Sequence, residues 1–222
     1  MISPDNILDN ISEAAIWCSA GIEPTDLAQA ASVAIEKRIP YMSVGTDSVS
    51  IVWPWLEGKQ VKIFSRFYLK GQDSDQISFL SAKINQAFKN GADGAQVFVA
   101  MRDIDAFVSQ LYLIRDDLFF NKSLFFGIDI NELGPFEWQH LFDALKKMRA
   151  SGLLLVLPKD EGDNSDYVGR VYAALNALTP EDDFEFHFLL GNNGNRIEQT
   201  ARLFQAIRPD LSQKVKFFIN YL

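Results

Sequence analysis

Eight short apolar runs, each followed by a polar turn and then a segment with helical spacing, constrain this 222-residue chain more than any other feature. The runs cover residues 15–20, 41–44, 61–67, 94–100, 123–128, 152–157, 184–190 and 215–219. They are nearly continuous in apolar character instead of alternating, the pattern of strands buried on both faces in a helix-covered parallel sheet. Pro24 and Thr25 open a helix that aligns Leu27, Ala30, Ala31, Ala34 and Ile35 on one face. Residues 47–56 read as a short amphipathic helix interrupted at Pro54. The spacing predicts further helices over 76–89, 104–118, 135–150, 166–178 and 196–207, the first of them ended by Asn90-Gly91. One more helix is expected over 4–12.

Eight strands in one uninterrupted βα series specify a (β/α)8 barrel, a parallel eight-stranded TIM barrel with its last helix missing and an extra N-terminal helix. A doubly wound open sheet fits less well. It usually has a glycine-rich first turn, whereas the first turn here reads Ala20-Gly21-Ile22-Glu23-Pro24. No Pro/Ser linker divides the chain, so a single domain over 1–222 is expected.

Composition narrows the partners. A net charge of −8 argues against nucleic acid and anionic membrane surfaces, which select clustered Lys and Arg. No apolar run approaches the length needed to span a bilayer. The single cysteine, Cys18, excludes an internal disulfide and a thiolate metal cluster, and a cytoplasmic location is the expectation. The aromatic surplus, 13% of the chain, points to a tightly filled interior. The uncovered wall beside strand eight and the run Phe217–Leu222 predict a homo-oligomer.

In such a barrel, chemistry gathers on the loops after the strands. Arg66, at the end of strand three, suits a carboxylate or phosphate, or else an ion pair with Asp47, Asp103 or Asp129. Asp129 ends strand five, where a general base would sit, or where a carboxylate would cap a helix. Lys159 follows strand six as a candidate nucleophile or anion ligand, within an acidic loop. The stretch Gly191-Asn192-Asn193-Gly194-Asn195 reads as a phosphate cradle or a tight turn. Two histidines and one cysteine supply no structural zinc set, and no cofactor is implied.

The layout of residues 39–69, the Gly91-Ala92-Asp93-Gly94 approach to strand four and the Ala150-Ser151-Gly152 approach to strand six resemble the deoxyribose-phosphate aldolase family. That resemblance implies a class I aldolase barrel whose lysine forms a Schiff base with substrate. It places the family's strand-four acidic residue at Gln96, its Schiff-base lysine near Leu157, its second lysine near His187 or Phe188, and its strand-one Asp-His-Thr at Trp17-Cys18-Ser19. The expectation is an aldolase-like barrel with a small anionic or sugar-like ligand site and no Schiff-base lysine. Its rival is a non-catalytic barrel acting as an oligomer subunit.

Overall fold

A computed structural model describes residues 8, 11, 13–69, 74–157 and 164–221, without the side chains of 74–76 and 164–165. Eight parallel strands close into a barrel in sequence order: β1 Ala14–Trp17, β2 Tyr41–Gly45, β3 Lys62–Tyr68, β4 Gly94–Phe98, β5 Ser123–Asp129, β6 Gly152–Val156, β7 Glu185–Leu189 and β8 Val215–Asn220. Pairing of β8 with β1, from Ala14 opposite Phe217 to Trp17 opposite Asn220, shuts the ring. The covering helices are α1 Pro24–Glu36, α2 Val49–Leu56, α3 Ser74–Lys89, α4 Ile104–Leu111, α5 Glu137–Met148, α6 Asn164–Ala177 and α7 Gly194–Ile207. No described helix is long and apolar enough to cross a membrane.

Two local expectations shift. Pro54 lies inside α2 without interrupting it, because the helix ends at Leu56 and only the bond back to Ser50 is lost. The helix predicted over 104–118 keeps one path but tightens at Tyr112–Ile114 before a last α-helical turn at Arg115–Leu118. The predicted N-terminal helix lies outside the described residues apart from Leu8 and Ile11, and both of these join the main apolar core with Phe217 and Ile219. Phe217, Phe218, Ile219 and Tyr221 are buried within the chain, so this run does not form the exposed wall expected of it.

The interior explains the aromatic surplus. Inward-facing phenylalanines on three successive strands each lie beside a glycine in register on the next: Phe64 with Gly94, Phe98 with Gly127, and Phe125 with Gly152. A β-carbon at Gly94 or Gly127 would sit 2.5 or 2.7 Å from the ring of its partner. Large opposite small is how a narrow barrel fills without voids. Gly152 is the tightest case, because an added β-carbon would lie 2.0 Å from the main-chain oxygen of Glu185. A main-chain atom in the barrel wall cannot rotate aside as a side chain can. Gly152→Ala is therefore expected to cost about 3 kcal/mol, and Gly94→Ala less, as read from urea unfolding midpoints. Equal midpoints for Gly152→Ala and wild type would show that the wall yields.

Candidate functional site

The site is built around the end of β3. Alternation along that strand turns Phe64 and Arg66 inward, and register sets Arg66 between Gly45 of β2 and Gln96 of β4. Arg66 is 5% exposed. Its guanidinium carbon lies 4.1 Å from the centre of the Trp17 ring, a cation–π contact, and Nη2 donates to the carbonyl of Cys18. Nη1 is buried with no hydrogen-bond partner. None of the ion pairs among the described residues involves Arg66. Burial draws its pKa below the ordinary value, opposed by Tyr68 and Cys18. The same burial pushes the Cys18 thiol up to about 12, which keeps it protonated and unreactive near neutrality.

Two adjoining cavities of about 510 and 520 Å3 share Thr46, Arg66, Tyr68 and Lys83. The first continues over Phe67, Leu69, Phe79 and Leu80, an apolar wall. The second opens over the barrel mouth and adds Trp17, Ser19, Asp47 and Gln86. Trp17 forms its floor. The indole meets Phe98 and Phe218 edge to face at 6.1 and 5.9 Å and packs with Ala15 and Leu154, so the barrel axis is filled beneath it. Below the floor, Ser43 donates to Gln96 Oε1 at 2.7 Å, while the Gln96 amide nitrogen is buried and unpartnered.

The other sequence candidates sit elsewhere. Asp129 ends β5, and its Oδ1 accepts from the Asn131 amide at 2.9 Å, the capping alternative considered for it. Gly191–Asn195 follows β7, across the barrel from β3. There Asn192 exchanges two hydrogen bonds with the Asn220 main chain, and Asn193 accepts from the Arg196 amide and caps α7. None of Asp129, Gly191, Asn192, Asn193 and Gly194 lines the two cavities at Arg66. Lys159 lies outside the described residues. Leu157 is buried in the outer core, and Val156 is the inward residue at the end of β6. Lys83 and Gln86 of α3 escaped the sequence reading, because two polar residues three apart on a helix look like any solvated face.

At the opposite end, His187 is fully buried and stacks on Phe125 at 4.0 Å. Its Nε2 lies 3.3 Å from Glu185 Oε2, which also accepts from the Tyr41 hydroxyl at 3.1 Å, and its Nδ1 has no partner. Burial holds the imidazole below its ordinary value of 6.5, against the opposing pull of Glu185.

No protein-family model matches the chain, and no curated protein matches it in sequence. Solved structures do. A deoxyribose phosphate aldolase from Aeropyrum pernix, described as having a unique tetrameric structure, superposes with a TM-score of 0.72 at 12% identity, covering 90% of this chain and 85% of its own. A protein described simply as an aldolase gives 0.68 at 11%, covering 96% and 91%. A pyruvate carboxylase from Rhizobium etli gives 0.55 at 12%, covering 95% of this chain but 24% of its own. The chain therefore shares its closed eight-stranded barrel fold with deoxyribose-phosphate aldolases, the family whose layout the sequence resembles.

The buried imidazole makes stability depend on pH. Above about pH 6.5 it is neutral folded and unfolded. As pH falls below that value the unfolded chain takes up the proton first, so stability is lost on acidification. The loss should grow as pH falls from about 7 through about 6.5. Urea unfolding of His187→Gln, which can still bond Glu185 but cannot titrate, should show a flatter profile. A variant as pH-dependent as wild type would clear His187 as the source.

Proposed function

We propose that this aldolase-like barrel binds a small anionic or sugar-phosphate-like molecule at the mouth beside Arg66, without the Schiff-base lysine of the family it resembles. The observation that carries this reading is the buried guanidinium of Arg66, which has no counter-ion among the described residues. A cation removed from water without a counter-ion costs several kcal/mol, and a chain that tolerates the cost beside a cavity is suited to an anion from outside. Against Schiff-base chemistry stand the inward residues towards the mouth: Gln96 and Phe98 on β4, Leu154 and Val156 on β6, and Leu189 on β7. None is an amine. The acid–base candidates remain Asp129, which ends β5 outside the two cavities, or Lys159, which lies outside the described residues.

Self-association is the second reading. Leu113 is 84% and Phe120 75% exposed, with Tyr112 and Ile114 also open within nine residues. Patches of this kind on one surface favour a partner, and the aldolase from Aeropyrum pernix is tetrameric.

Arg66→Met tests the binding reading. Anion binding measured by calorimetry should disappear, while stability rises by about 1 kcal/mol because the unpaired charge is gone. At this chain length that is a Tm increase of roughly 2–4 °C. Binding that survives the substitution would sink the assignment. Borohydride trapping with deoxyribose 5-phosphate, read by intact mass, should give no adduct, and an adduct on any lysine would restore the aldolase mechanism.

A further inference from the structure

We propose that the ligand of this mouth is a hydroxylated monocarboxylate, held by Arg66 and Lys83 and kept distinct from phosphate esters by Asp47. The inference rests on the Arg66 reading and deepens it. Its starting point is the charge around the polar cavity. Arg66 lies beside the floor, 5% exposed and without a counter-ion among the described residues, and Lys83 reaches the same cavity from α3. Like Arg66, Lys83 takes part in none of the ion pairs among the described residues, and its ammonium rests 4.4 Å from the centre of the Phe79 ring. Asp47 lines the cavity with the opposite sign. Two cations and one carboxylate leave a net charge of one, which a single carboxylate neutralises and a phosphate dianion overshoots.

Hydrogen-bonding geometry points the same way. Arg66 Nη2 donates to the Cys18 carbonyl and the guanidinium carbon lies 4.1 Å from the centre of the Trp17 ring, which leaves the buried, unpartnered Nη1 to meet a ligand oxygen. Ser19, Asp47 and Gln86 supply hydroxyl, carboxylate and amide groups suited to the alcohols of a hydroxy acid. The carboxylate of Asp47 is the discriminating group, since it accepts from a ligand hydroxyl but repels a second negative charge.

The test compares D-glycerate, glycerol 3-phosphate and glycerol by calorimetry on the full chain. These probes share hydroxyls and differ in the anion. D-glycerate should bind, glycerol should not, and glycerol 3-phosphate should bind roughly tenfold more weakly than D-glycerate. Lys83→Gln should weaken D-glycerate roughly tenfold. Asp47→Asn should strengthen glycerol 3-phosphate more than D-glycerate, narrowing the gap. Tighter binding of glycerol 3-phosphate by wild type, or a gap unmoved by Asp47→Asn, overturns the monocarboxylate assignment but leaves Arg66 as an anion site. If neither anion binds wild type, the Arg66 reading and this one fall together. D-glycerate binding that is unchanged in Lys83→Gln removes Lys83 from the site.

Discussion

Closure of the strand ring on a crowded axis governs the rest of the molecule. An eight-stranded parallel barrel has an interior only wide enough for side chains, and this chain fills it with phenylalanine and tryptophan. The filling works because a glycine lies in register beside each of three inward rings. Widening any of those glycines would push a ring, or the wall itself, outward. The same crowding fixes where polar groups can survive. Inside the ring they occur as paired or stacked groups: Ser43 against Gln96, and His187 between Phe125 and Glu185.

Arg66 is the exception that gives the mouth its character. The chain satisfies it only in part, through one carbonyl and one indole face. Its register neighbour, Gln96, is an amide where a carboxylate would have formed a buried ion pair. That one side chain decides whether the positive charge is cancelled internally or turned towards the cavity. The lower end of the barrel has the opposite arrangement, with Glu185 serving both Tyr41 and His187 and with Lys62 further lowering its pKa. Charge is thus absorbed at the N-terminal end and left open at the C-terminal end, where barrels of this kind place their chemistry.

Much of this was legible in the residues. Short apolar runs without alternation, separated by helical spacing, led to the strand order, and strand boundaries moved by no more than three residues. Arg66 stood out in the sequence because an arginine ending a buried strand calls either for an ion pair or for an anion. Its surroundings were harder to read. Lys83 and Gln86 come to Arg66 from a helix whose exposed face has no distinguishing pattern. Trp17 read as one apolar residue among many, since nothing in its neighbours says that the ring lies across the axis. The Gly191–Asn195 turn illustrates the reverse difficulty. Its composition suits an anion, yet two of its asparagine side chains are occupied, one bonding the main chain beside β8 and the other capping its own helix. Composition cannot distinguish a donor waiting for a ligand from one already spent on the backbone.

The position of Trp17 has a wider consequence. By lying across the top of the packed axis, its indole sets the depth to which any molecule can enter. A molecule entering the mouth would meet an aromatic shelf and keep part of its hydration, so recognition there would depend on charge more than on shape. A small residue at this one position would lower the shelf towards Gln96 and Leu154 and turn a surface basin into a shaft. The difference between a barrel that holds molecules at its rim and one that draws them inside can therefore rest on a single ring.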